Sequence, residues 1–299
     1  MKSKEGNNGM EADWTGGVAV VTGAGSGIGA GIARAAAAAG MIVVVTDLAI
    51  ERAETVAGEI NASGGSARAV KLDVTDEAAV RTLAEKLHEG HGGVRLLVNN
   101  AGIMNFGPSW EMGMAQWREV LDVNLIGVLH GISAFVPRMV ERGRAGTRGA
   151  VVNVASLASI SALPMSAAYV MSKHAVLALS ECLSLELALE ELPVDISVVL
   201  PGVVDTGIYD DSVMSRGKVD TGGRIRSLLQ GMSTQYGMSP DEAGRIIFEK
   251  VQAREFWVAT DPDLTRQTLT GRADFLLGQQ PPQLPPAMVD SLRGIGTAG

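Results

Sequence analysis

Residues 18–21 run Val-Ala-Val-Val into the turn Thr22-Gly23-Ala24-Gly25-Ser26-Gly27-Ile28-Gly29, and the turn runs into an Ala-dense segment, 30–39, closed by Gly40. A short β-branched run, a Gly-rich turn and an Ala-rich stretch are the pattern of a buried strand, a tight bend and a helix packed close against its sheet. The rhythm repeats. Strands are expected at 42–46, 67–72, 96–98, 150–155, 196–200 and 256–260, and helices at 51–60, 110–123, 124–140 and 168–190. Thr75 and Asp76 are placed to cap a helix running towards His88. Ser239-Pro240-Asp241-Glu242 has an N-cap candidate, a proline at the first helical position and an acid at the third, and opens a helix to about residue 253. Strands this apolar on both faces need helices above and below them. The expected fold is therefore α/β, a doubly wound, mostly parallel sheet with helices on both faces.

The 299 residues suffice for one substantial core. No long linker interrupts the pattern, so a single domain is expected over 17–278, after an N-terminal extension, 1–16, and before a Pro-rich tail or arm, 279–299. The rhythm breaks at about 203–236, which reads as a loop covering a site or as an irregular surface insertion. A formal net charge of −8 argues against a nucleic-acid surface, and the run Arg138, Arg142, Arg144 and Arg148 reads as solvated because no aromatic platform accompanies it. The lone Cys182 excludes an intrachain disulfide and suits a reducing cytoplasm; among Leu179, Leu183 and Leu187 it reads as a buried, inert thiol. Residues 1–13 lack the apolar core of a signal peptide, and no uninterrupted membrane span is expected.

Gly23, Gly27 and Gly29 follow the first strand and open a helix, where bare backbone N–H groups can meet the pyrophosphate of a dinucleotide. No Lys follows them, as the phosphate loop of a nucleotide hydrolase requires. Asp47 ends the second strand, 18 residues beyond Gly29, where a carboxylate can bind both ribose hydroxyls of an adenosine. It would repel an extra phosphate there, and no Arg or Lys stands beside it or in the turn, so NAD is expected rather than NADP. Asp73, at the end of the third strand, is placed either to approach the adenine or to cap a helix. Asn99-Asn100-Ala101-Gly102 closes the fourth strand with small and amide residues that can line a ligand crevice without filling it.

Tyr169 and Lys173 lie four apart, on one face of one expected helix. An ammonium nearby favours the phenolate, so Tyr169 can take or return a hydroxyl proton while Lys173 reaches a cofactor ribose. Ser156 ends a strand at the carboxyl edge of the sheet, where its hydroxyl can orient a substrate oxygen; Ser159 and Ser161 are alternatives that the spacing disfavours. Asn124 interrupts an apolar run, either to kink a helix and position a water near Lys173 or as a buried, satisfied amide. Met104, Leu157, Met165, Val203, Tyr209 and Met214 are candidates for an apolar pocket, favouring a hydrophobic alcohol. His88, His91, His130 and His174 form no convincing metal set, and Ser156 is in no nucleophile elbow.

At these residues the chain resembles the single-domain branch of the short-chain dehydrogenase/reductase family, through the turn at 22–29, Asn99 to Gly102, Asn124, Ser156, the Tyr-x-x-x-Lys pair, and Pro201-Gly202 with Thr206. The resemblance implies a seven-stranded Rossmann-type sheet and a catalytic tetrad of Ser156, Tyr169, Lys173 and Asn124. It implies a nucleotide held by Gly23, Ser26, Gly27, Ile28, Gly29 and Asn100, Ala101 and Gly102, with Asp73 and Val74 bordering adenine. Pro201, Gly202, Val204 and Thr206 would hold the nicotinamide carboxamide. A homodimer or homotetramer is implied, joined through the helices that carry Asn124 and Tyr169. The later segment, with Asn105-Phe106-Gly107-Pro108 and Phe135-Val136-Pro137-Arg138-Met139, resembles more loosely the bacterial aryl-alcohol Cα-dehydrogenases. The expectation is an NAD-dependent enzyme interconverting a hydrophobic, aromatic or alicyclic secondary alcohol and its ketone. The alternatives are an epimerase or dehydratase of the extended branch and a non-catalytic NAD sensor.

Overall fold

The computed structural model describes residues 14–91, 93–210, 212–214 and 221–284. Its strands in chain order are β1 (Val18–Val21), β2 (Ile42–Asp47), β3 (Ser66–Lys71), β4 (Val94–Asn99), β5 (Asn105–Phe106), β6 (Gly149–Val154), β7 (Val194–Leu200), β8 (Val213–Met214) and β9 (Trp257–Ala259). The helices are α1 (Gly27–Ala38), α2 (Ile50–Ala62), α3 (Glu77–His91), α4 (Met114–Leu121), α5 (Gly127–Arg144), α6 (Ala167–Leu189), α7 (Thr221–Tyr236), α8 (Pro240–Gln252) and α9 (Pro262–Leu277). Seven strands form one parallel sheet in the order β3-β2-β1-β4-β6-β7-β9, as expected; β5 and β8 pair separately. The N-terminal extension up to residue 13 and the tail from residue 285 lie outside the described residues.

Period-two alternation sorts the strand residues between two helical layers. Ala19, Val21, Val43, Val45, Leu96 and Val98 pack with α1 and α8 on one face. Val18, Val20, Val44 and Leu97 pack with α3, α5 and α6 on the other. Strand order reverses between β1 and β4, so a crevice opens at their carboxyl ends, directly after the Gly-rich turn.

The structure corrects several expectations. The segment expected to be irregular contains α7, whose Ile225, Leu228, Leu229 and Met232 have helical spacing that Gly222, Gly223 and Gly231 disguise. The helices expected at 110–123 and 124–140 are one continuous rod with a π-turn at Asp122–Ile126. That rod, Met114–Arg144, is long enough for a membrane span and holds an 18-residue stretch of mean hydropathy 1.6, yet Phe135, Val136 and Met139 are buried in the core beside the sheet. Cys182 is exposed: Leu183 and Leu187 occupy the inward face of α6, and a one-residue step turns the thiol about 100° away. Two residues of the Arg run are partnered: Arg142 Nη1 donates to the Gly93 carbonyl at 2.6 Å, and Arg148 pairs with Asp195 at 2.7 Å. Asp76 rather than Thr75 caps α3, accepting from the Ala79 N–H.

Helices α1 and α8 cross with their backbones in contact. A Cβ on Gly31 would overlap the Pro240 carbonyl, and one on Gly244 would overlap the backbone of Gly31. Backbone cannot yield as a side chain does, so Gly31→Ala or Gly244→Ala should destabilise the fold by about 1–3 kcal/mol or more. Urea unfolding measures this; an unchanged midpoint would contradict the close crossing.

Candidate active site

A buried polar relay docks α6 on the sheet. Asn99 at the end of β4 donates to Asn153 on β6 at 2.9 Å, Asn153 donates to Ser180 on α6 at 3.0 Å, and Ser180 donates to the Val176 carbonyl. Asn99 is therefore a structural residue. Its neighbour Asn100 ties the strand end to the Gly-rich turn, donating to the carbonyls of Thr22 and Gly23 at 2.8 and 3.0 Å.

A cleft of about 720 Å³ opens where β1, β4, β6 and β7 end. It brings together Gly23, Ser26, Gly27, Ile28, Asp47, Asp73, Val74, Asn100, Ala101, Gly102, Ser156, Tyr169, Lys173, Pro201, Gly202, Val204 and Thr206. Gly29 and Asn124 lie just beneath its wall rather than on it: a Cβ on Gly29 would strike the Asn100 amide, and Asn124 is fully buried. Met104, Leu157, Val203 and Tyr209 line the cleft as expected, whereas Met165 and Met214 do not. Met165 (φ 65°) packs in the apolar cluster around Tyr169, its carbonyl accepting from the Gly107 N–H, and Met214 pairs in β8 beside Phe106.

The residues at one end fit a dinucleotide. Gly23 and Gly27 adopt φ of 59° and 53°, and a Cβ on Gly23 would stand 2.8 Å from the Ala101 backbone. No side chain caps the first turn of α1 and no acid occupies it, so its N–H groups face the cleft as an anion site. Asp47 is held by the amides of Gly25 and Ala49, each at 3.0 Å. Arg52, one turn into α2, also lines this end. The expectation that no basic residue stands beside Asp47 is thus corrected: five positions separate them in sequence, but the β2–α2 bend brings them together. Asp73 accepts from the Thr75 N–H and hydroxyl in a local turn and borders the cleft, while the α3 cap falls to Asp76.

At the other end, Ser156 follows β6 and accepts from the Ala158 N–H at 3.1 Å, while Ser159 spends its hydroxyl on the Ser156 N–H and Ser161 spends its own on the Leu157 carbonyl. Ser156 also hydrogen-bonds the Tyr169 phenol. Asn124, in the π-turn, accepts from the Ile103 N–H at 2.8 Å and donates to the Ile103 carbonyl and to Ser172. Its side chain is satisfied by protein groups, the second of its two expected roles. The sequence reading missed Asn105 as a support: its Oδ1 accepts from the Tyr169 N–H at 2.9 Å, one of the unpaired donors at the start of α6. Leu229 of α7 and Ile208 were also missed, because their segment lacked an obvious period.

Burial governs the titration of the pair. Tyr169 is packed among Met104, Phe106 and Ile225, and desolvation pushes its phenol up to about 12, against the lowering effect of the Ser156 hydrogen bond and with a smaller raising contribution from Tyr209. Desolvation pushes Lys173 down to about 8. Its Nζ donates to the Val154 carbonyl at 2.7 Å and sits 5.8 Å from the centre of the Tyr169 ring. The lowering of the phenol expected from the ammonium does not set its titration here: desolvation is the largest cause, and the opposing effect comes from Ser156.

Three comparisons accompany this geometry. Residues 17–216 match the family described as short chain dehydrogenase. The chain is 43% identical over 188 residues to "Probable oxidoreductase EphD" of Mycobacterium tuberculosis, a match covering 63% of this chain but only 31% of that protein. It is 35% identical over 247 residues to the 1-deoxy-11-beta-hydroxypentalenate dehydrogenase of Streptomyces avermitilis, covering 82% of this chain and 84% of the relative. Among solved structures, a short chain dehydrogenase/reductase from Burkholderia phymatum in complex with NAD superposes with a TM-score of 0.84 at 31% identity, over 91% of this chain and 98% of that one.

The depressed Lys173 pKa has a measurable sign. Folding favours the neutral amine, so its contribution is present above the ordinary value of 10.5 and lost as pH falls through about 8. Tyr169, raised, acts only above its ordinary value of 10.0. Between pH 8 and 10 stability should climb, and Lys173→Met should flatten the climb; urea unfolding across that range tests it, and an identical slope in the variant would refute it.

Proposed function

The chain belongs to the short-chain dehydrogenase/reductase family, and from that premise we propose that it is an NAD-dependent oxidoreductase interconverting a hydrophobic secondary alcohol and its ketone. One observation carries the reading: Ser156, Tyr169 and Lys173 share a cleft with an uncapped helix N-terminus and with Asp47. The substrate end is walled by Met104, Leu157, Leu163, Val203, Ile208 and Leu229, and among the described residues lining it Lys173 alone is charged, which suits an uncharged alicyclic or aromatic molecule. The similarity to the 1-deoxy-11-beta-hydroxypentalenate dehydrogenase supports a hydroxyl-bearing substrate.

Gly23, Ser26, Gly27 and Ile28 would hold the pyrophosphate of NAD, Asp47 the adenosine ribose, Asp73 and Val74 the adenine edge, and Pro201, Gly202, Val204 and Thr206 the carboxamide. When bound, the nicotinamide supplies the acceptor or donor of the hydride exchanged with the carbinol carbon. Ser156 orients the substrate oxygen and stabilises charge on it. Tyr169 takes the hydroxyl proton in oxidation and returns it in reduction. Lys173 holds the nicotinamide ribose, and Asn124 fixes the wall behind both through Ile103 and Ser172. The buried phenol, protonated far above neutrality, is set up as an acid. Ketone reduction should hold level through neutral pH and alcohol oxidation should rise into alkaline pH; the opposite pair of profiles would remove Tyr169 from the proton transfer.

Tyr169→Phe should keep NAD binding, measured by calorimetry, and lose at least about 10²-fold in kcat. Retained turnover would defeat the assignment. Asp47 favours NAD over NADP, while Arg52 moderates the preference, so Asp47→Ser should narrow the ratio of kcat/KM values about tenfold or more; an unchanged ratio would place the discrimination elsewhere. Exposed Met171, Leu185 and Leu189 on α6 support assembly into a homodimer or homotetramer.

A further inference from the structure

The cover of the cleft holds one aromatic residue in a fixed pose. Tyr209 ends the short 3₁₀ turn Gly207–Tyr209, and its carbonyl accepts from Arg226 Nε on α7 and from the Ser212 hydroxyl, both at 2.8 Å. Its ring packs on Phe106, with centroids 6.4 Å apart and planes tilted by 33°. Main chain and ring are thus both positioned before any ligand arrives. The phenol lines the apolar end of the cleft. Among the described residues it makes no hydrogen bond, and of the serines that share the cleft Ser156 accepts from the Ala158 N–H and Ser161 donates to the Leu157 carbonyl. It lies close enough to Tyr169 to raise that phenol, and burial raises its own pKa, which favours the neutral hydroxyl.

A half-buried hydroxyl aimed into an apolar pocket, with its backbone clamped, suits a polar atom of the ligand. We propose that Tyr209 recognises a second oxygen on the substrate, so that the preferred molecule is a hydrophobic secondary alcohol, or its ketone, bearing a further hydroxyl or carbonyl away from the reacting carbon. This deepens the proposed function and rests on it. Ser156 and Tyr169 take the reacting oxygen, Tyr209 donates to the other, and the Met and Leu side chains enclose the carbon frame between them. Tyr209 is then a specificity residue, with no part in the proton transfer.

The test uses two series of probes, decalin alcohols with one hydroxyl and the same alcohols with a ketone or hydroxyl on the far ring, each followed by NADH formation. The wild-type protein should prefer the dioxygenated series. Tyr209→Phe, which keeps the ring and removes only the hydroxyl, should lower kcat/KM for that series about five- to tenfold, chiefly through KM, and leave the mono-oxygenated series unchanged. Calorimetry of the matching ketones on the protein–NADH complex should show the same selective loss. An equal effect on both series, or no wild-type preference, overturns the assignment of Tyr209 while leaving the oxidoreductase reading intact. Absence of NADH from every probe with the wild-type protein overturns both.

Discussion

The chain of buried amides and hydroxyl from Asn99 through Asn153 to Ser180 is the interaction on which the site depends. It crosses from β4 to β6 to α6 in a region where all three side chains are fully or almost fully buried. Each unpaired member there would cost about 1–3 kcal/mol, so the relay is made as a unit and admits one register of α6 on the sheet. That register sets Tyr169 and Lys173 at the carboxyl edge of the strands. Gly131 belongs to the same arrangement, because any side chain there would displace the Asn99 amide.

Around this anchor the site is assembled by short supports from separate elements. Asn124 clamps Ile103 to Ser172, and Ser172 in turn donates to the Tyr169 carbonyl at 2.7 Å. The π-turn that carries Asn124 admits one extra residue per turn and so aims the amide inward, where a regular helix would rotate it away. Asn105 joins the β5–β8 pair to the first turn of α6 through the Tyr169 N–H. The cover is thereby tied by hydrogen bonds to the start of the helix that carries the phenol.

The same packing that fixes Tyr169 also removes its water. Burial raises the phenol and lowers the lysine, driving the two pKa values apart, to about 12 and about 8. A pair of exposed residues at this spacing would keep ordinary values and would interact weakly through solvent. Enclosure makes the pair sensitive to any charge that enters the cleft, because an incoming positive group acts on the phenol through a medium of low dielectric.

Local periodicity determined much of this protein. The β-branched runs flanked by glycines and alanines specified the strands, their parallel packing and the position of the Gly-rich turn, since each depends on neighbours within a few residues. The spacing of Tyr169 and Lys173, and Ser156 at a strand end, identified the candidate site for the same reason. Tertiary structure decided what depends on groups distant in sequence: Arg52 beside Asp47, Asn105 under Tyr169, α7 and Tyr209 over the cleft, and Cys182 facing outwards. It also decided the titration of Tyr169, because desolvation is a sum over everything packed around the ring, from Met104 to Ile225, and no local spacing encodes that sum.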